Sequence, residues 1–194
     1  AAPTAKKENR RLGFSVSLRK GWRIHSLDAT RAYLQCTELN RVICVEPPKE
    51  AGEPYGWVWQ LLRPLYGLND APQRWWTCCG EECAKGGATV SKFDKCLYYV
   101  WSDADAKGRR HLEGIIGHHV DDFVGGGSGK NWTAFVKHLR GRFPFRKWTV
   151  GEGGDFCGCR LKQLPNKEIT LGQEEFVTKM TLINIPKGAD MEAE

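Results

Sequence analysis

The segment that most constrains this chain is His118-His119-Val120-Asp121-Asp122-Phe123. It lies between an apolar run over residues 112–117 and Val124 with Gly125-Gly126-Gly127. Adjacent carboxylates between two β-prone runs predict a strand-turn-strand hairpin with an acidic tip. Carboxylates crowded into such a tip repel one another unless a cation sits among them. The doublet therefore asks for a further acid and a divalent metal. A solvated turn is the plain alternative, since Asp is common in turns.

Asp28 is the candidate third acid, at the end of a β-prone stretch over residues 22–28. If the two strands pair, Asp28 and Asp121 are expected to face each other. Hard oxygen ligands of this kind select magnesium or manganese.

At 194 residues the chain is expected to be one domain or the larger part of one. It opens on Ala rather than Met, which reads as a piece of a longer protein. No apolar run reaches the length of a membrane span, and nothing at the start resembles a signal peptide. The net charge of +6 is unevenly spread. Residues 1–23 hold seven basic side chains against Glu8 alone, and residues 137–147 hold Lys137, Arg140, Arg142, Arg146 and Lys147 with no acid. Such clusters attract a phosphate backbone, or else form a solvated basic surface. The eight cysteines lack paired CxxC spacing, so buried reduced thiols are expected rather than a zinc ribbon.

Along the chain, residues 1–20 read as a loosely patterned basic lead-in, expected to be partly helical. Strands are expected over 22–28, 42–46, 57–62, 96–101 and 110–117. A helix is expected after a turn-rich stretch, with Asn69 or Asp70 as its cap and Pro72 in its first turn; it carries Trp75, Trp76, Cys79 and Cys83 near one face and stops at Gly86-Gly87. Ser128 or Asn131 is expected to cap a second helix with Trp132, Phe135, Val136 and Leu139 on one stripe. Residues 156–161 and 169–171 predict a hairpin, and 174–183 a closing helix. The fold class expected is α+β, an antiparallel sheet backed by helices.

The order of these segments resembles the reverse transcriptase of copia-type LTR retrotransposons. Asp28-Ala29-Thr30-Arg31-Ala32-Tyr33-Leu34 resembles that family's D-V-K-x-A-F-L motif, and residues 42–48 its I-Y-M-E-Q-P segment. Residues 62–75, with Leu65-Tyr66-Gly67-Leu68 and Ala71-Pro72, resemble L-x-x-S-L-Y-G-L-K-Q-A-P-R-x-W. Residues 91–98 resemble S-D-x-C-L-Y, and His119-Val120-Asp121-Asp122 stands where the family has Y-V-D-D. Phe156-Cys157-Gly158 resembles the F-L-G primer-grip strand, and residues 169–183 the I-x-L-x-Q-x-x-Y-I helix. The likeness covers roughly residues 20–187, and the joint order is what makes it specific.

The resemblance implies a polymerase palm over residues 21–187, preceded by a remnant of the fingers over 1–20 and followed by a tail over 188–194. It implies an RNA-directed DNA polymerase working by two-metal nucleotidyl transfer with magnesium or manganese. Asp28 and Asp121 would bridge the two ions, the Ala29 carbonyl would hold one of them, and Asp122 would be the auxiliary acid. Tyr33, beneath the incoming sugar, would exclude a 2′-hydroxyl, and Tyr66 and Gly67 would lie near the nucleotide. Arg74, Arg146, Lys147, Phe156 and Gly158 would contact nucleic acid, with Arg146 or Lys147 near the departing pyrophosphate. Implied partners are an RNA or DNA template-primer, dNTPs and the rest of the polyprotein (fingers, ribonuclease H, integrase), in an intracellular particle or the nucleus and without a membrane.

Three departures stand out. His119 replaces the usual tyrosine, Asn69-Asp70 replace Lys-Gln, and only 27 residues precede Asp28, so most of the fingers are expected to be missing. Two other readings compete: a non-catalytic nucleic-acid-binding relic, and an unrelated metal hydrolase using His118, His119, Asp121 and Asp122.

Overall fold

The computed structural model describes residues 2–151 and 154–180. Its centre is a six-stranded sheet whose pairings are all antiparallel, in the order β4-β5-β6-β7-β1-β8. These strands are β1 (Ile24–Ala29), β4 (Ala88–Val90), β5 (Leu97–Trp101), β6 (Leu112–His119), β7 (Asp122–Gly127) and β8 (Phe145–Val150). β2 (Cys44–Val45) and β3 (Trp59–Gln60) form a separate exposed hairpin, shorter than the two predicted strands. A three-stranded sheet joins β9 (Gly154–Phe156), β10 (Cys159–Gln163) and β11 (Ile169–Gly172).

Three helices enclose the large sheet. Helices α2 (Ala71–Lys85) and α3 (Lys130–Arg142) cover one face over a core that includes Leu27, Trp75, Cys79, Cys83, Tyr98, Ile116, Phe123 and Phe135. The spacing of Trp75, Cys79 and Cys83 puts all three in that core; Trp76, predicted with them, turns partly outward and donates to the Lys95 carbonyl. On the opposite face α1 (Lys7–Lys20) lies over β6 and β7, with Phe14 beside Ile24, Val124, Phe156 and Leu161. This helix lies within the lead-in expected to be partly helical, and small residues stand where an apolar stripe would have marked it more strongly. Ser17 sits so close above β7 that a Cβ on Gly126 would come 2.7 Å from its Oγ. The described end of the closing helix is α4 (Glu174–Thr178); the rest of that prediction and the 188–194 tail lie outside the described residues.

The predicted cap of α2 holds in position and that of α3 is corrected. Asp70 occupies the N-cap of α2 but makes no capping bond; its carboxylate binds Arg41 and Arg74 instead. Gly129 stands at the N-cap of α3, and the Glu113 carboxylate on β6 accepts the N–H groups of Asn131 and Trp132. A carboxylate at that end also complements the helix dipole. The missed strands β4, β8 and β9 are short or, in Phe-Arg-Lys-Trp-Thr-Val, break the apolar run with charge.

His118 is buried between Tyr98 and Phe123, its rings 5.8 and 5.4 Å away, and burial pushes its imidazole down to about 4. His25, against Trp132 and Trp148, is pushed down to about 4 by the same cause. Between about pH 6.5 and about pH 4 the unfolded chain binds protons that the folded chain refuses, so stability falls with pH in that window. For His118 the loss at about pH 5 is roughly 2 kcal/mol relative to neutrality. Urea midpoints should therefore drop on acidification, and the drop should shrink by about half in His118→Leu. An unchanged drop in that variant would remove His118 as its source.

Candidate active site

The acids converge where the hairpin predicted them, at one end of the central sheet. In β1, Ser26 and Asp28 alternate with Leu27, which belongs to the core under α2 and α3. Asp28 therefore points to the other face. In the β1–β7 ladder its register partner is Asp122, correcting the expected pairing with Asp121. His119 pairs with Asp122 across the β6–β7 hairpin, so the two-residue turn is Val120-Asp121 and Asp121 sits at its tip. A one-residue shift of this kind follows from turn length, which the flanking apolar pattern does not specify.

Several contacts hold that tip. The Ala29 N–H donates to the Asp121 carbonyl at 2.9 Å, fixing the end of β1 against the turn. Val120 adopts a left-handed φ of 56°, costly for a β-branched residue, and the indole of Trp75 donates to its carbonyl at 2.7 Å. The N–H of Cys157, in the β9–β10 turn, donates to the Asp122 carboxylate at 2.9 Å. Burial raises the Asp122 carboxyl despite that bond, and the neighbouring Asp121, Asp28 and Asp155 raise it further.

A cavity of about 310 Å³ opens beside the acids, lined by Ser26, Asp28, Asp122, Arg146, Lys147 and Asp155. Asp155 is an acid the sequence reading missed, although it directly precedes the singled-out Phe156. Its backbone carbonyl accepts the Ser26 hydroxyl, and its carboxylate binds Lys147 and Arg160. Arg146 reaches Asp28 through Nε at 3.0 Å and Nη2 at 2.6 Å. Among the described residues, no group of three or more His, Cys, Asp or Glu side chains is already gathered for a metal ion.

The remaining predicted residues divide. Tyr33 lies on a short helical turn, Ala32–Gln35, with its ring 4.5 Å from that of Tyr66. Burial raises both phenols; Asp121 raises both further, and Asp28 acts on Tyr66 as well, so this aromatic pair borders the acids. Gly67 has a φ of 100° with open space around it. Arg74 is engaged by Asp70 at 2.8 Å and Asn40 at 2.7 Å, a local ion-pair network on the α2 surface. Phe156 is 3% exposed beneath α1, so its ring is core and only the adjacent turn, with exposed Gly158, faces outward. Of the second basic cluster, Arg142 binds Glu82 and the Gln35 carbonyl, and Arg140 stacks on Trp148 at 4.1 Å. His118 faces the helix-side core while Asp122 faces the cavity, so the four residues of the hydrolase reading do not share one ion.

The family model described as reverse transcriptase (RNA-dependent DNA polymerase) matches residues 1–185. The chain belongs to the reverse transcriptase family. It is 27% identical over 169 residues to the retrovirus-related Pol polyprotein from transposon RE2 of Arabidopsis thaliana, covering 84% of this chain and 11% of that protein. It is 32% identical over 77 residues to the corresponding polyprotein from transposon RE1 of the same plant, covering 39% of this chain and 5% of that protein. The chain thus spans about a tenth or less of the length of these relatives. No solved structure matches it. The resemblance drawn from the motifs is borne out at the level of the family.

Proposed function

We propose that this reverse transcriptase domain is the polymerase palm of a retroelement Pol polyprotein and adds deoxynucleotides to a primer by two-metal transfer. The observation that carries this reading is the register of Asp28 against Asp122, with Asp121 in the turn between β6 and β7. Two strands far apart in sequence bring Asp28 and Asp122 to one sheet end, on the face away from α2 and α3, with Asp121 in the adjoining turn.

The donor set fits magnesium or manganese. Asp28, Asp121 and Asp122, with the Ala29 carbonyl, offer hard oxygens, and a cation would favour the ionised form of Asp122, whose carboxyl is raised first by burial and further by its acidic neighbours. Bound ions would activate the 3′-hydroxyl and stabilise the departing pyrophosphate. The chain's own groups do the positioning: Trp75 holds the turn, the Cys157 N–H orients Asp122, and Arg146 and Lys147 supply positive charge at the cavity mouth. Tyr33, buried with only 8% of its surface exposed and packed against the exposed Tyr66, would form the floor beneath the sugar, and Gly67 allows close backbone approach. Template-primer, dNTPs and the remaining polyprotein domains are the partners of this reading.

Primer extension by the polyprotein carrying this chain tests it, with magnesium and either nucleotide type supplied. Wild type is expected to extend with dNTPs. Tyr33→Ala should admit ribonucleotides about 10²-fold more readily, while Tyr33→Phe, which keeps the ring, should select as wild type does. Salt-sensitive binding without any extension would favour the non-catalytic relic.

A further inference from the structure

The ladder between β1 and β8 contains an irregularity beside Asp28. Leu27 opposes Trp148 and Asp28 opposes Lys147, yet Ala29 opposes Phe145, which leaves Arg146 as the extra residue of β8. A bulge of this kind lifts one side chain out of the strand's alternation and re-aims it. Lys147, directly across from Asp28, sends its ammonium to Asp155 instead. The re-aimed Arg146 takes the Asp28 carboxylate, with Nε and Nη2 on the same oxygen. Its side chain is 77% exposed against 24% for Asp28, so the cation caps the acid from the solvent side.

We propose that Arg146 is a displaceable counter-ion of Asp28, a positioning residue that a divalent cation must move aside to use that carboxylate oxygen. The proposal rests on the metal-dependent reading above. An oxygen already accepting two charge-assisted N–H bonds has little capacity left for a metal, and a guanidinium beside it repels a dication. Release is cheap, because an exposed ion pair holds its partners weakly. The bulge thus keeps Asp28 charge-compensated until a cation displaces the guanidinium, and tunes how tightly the site takes metal.

Manganese titration of the chain, read by the paramagnetic resonance signal of the free ion, tests this without any activity measurement. Arg146→Gln should bind Mn²⁺ about threefold more tightly than wild type, from loss of a weak exposed pair. Lys147→Gln removes the same charge one residue away but frees no Asp28 oxygen, so it should tighten binding distinctly less. Asp28→Asn should weaken binding whether or not Arg146 is present. Equal tightening in the two Gln variants, or none in Arg146→Gln, overturns the counter-ion role and leaves the metal site standing. Undiminished binding in Asp28→Asn strikes the polymerase reading itself and the counter-ion role with it.

Discussion

Asp121→Asn is expected to abolish primer extension by the parent polyprotein while leaving the domain folded. The substitution removes one negative charge and keeps size and shape. Under the proposed reading, losing a carboxylate that would hold the metal ions removes several kcal/mol of stabilisation at the charged transition state; about 4 kcal/mol corresponds to a rate loss on the order of 10³-fold. The fold has little reason to respond, because the contact that Asp121 makes to β1 runs through its backbone carbonyl, which accepts the Ala29 N–H. The urea midpoint should therefore stay within about 0.5 kcal/mol of wild type, as for other surface substitutions. Extension at wild-type rates with an unchanged midpoint would remove Asp121 from the catalytic assignment. Asp122→Asn is the informative companion, since its side-chain oxygen can still accept the Cys157 N–H that holds the β9–β10 turn.

What the sequence discloses about this site follows from the range of the interactions involved. The β6–β7 hairpin is readable because two β-prone runs flank one acidic turn. Helix α2 is readable because Trp75, Cys79 and Cys83 recur at helical spacing and Pro72 stands in its first turn. Asp28 becomes a candidate through strand propensity and motif order together. The features that escape are those set by long-range pairing. Nothing local tells that β8 joins the edge of β1, so neither the bulge at Arg146 nor its bond to Asp28 is visible. Glu113 reads as an interruption of an apolar strand, yet it caps α3 from 18 residues away. Phe156 carries a motif that points to nucleic acid, while the packing of α1 over it makes its ring part of the core.

The glycine pairs of the hairpin are the other place where a small change should have a large effect. Gly114 and Gly127 face each other across β6 and β7, and both lie under the indole of Trp132. A Cβ on Gly114 would meet the Trp132 ring at 2.1, 2.7 and 2.9 Å, and no other atom ranks among its three nearest. Trp132 is 4% exposed and packs on His25 and Phe135, with ring centroids at 5.4 and 5.7 Å, so it has no free direction of retreat. Gly114→Ala should therefore evict the indole, at a cost approaching that of deleting a core tryptophan, about 3–5 kcal/mol. Trp132→Ala alone should cost a similar amount. The double variant should be no less stable than Trp132→Ala, because the clash and the indole disappear together, giving a coupling of about 3 kcal/mol of rescue. Gly127→Ala should be rescued less completely, since its Cβ would also meet the Glu113 carbonyl at 2.6 Å. Additive losses in the Gly114 and Trp132 cycle would mean that the glycine serves the backbone of β6 rather than the tryptophan above it.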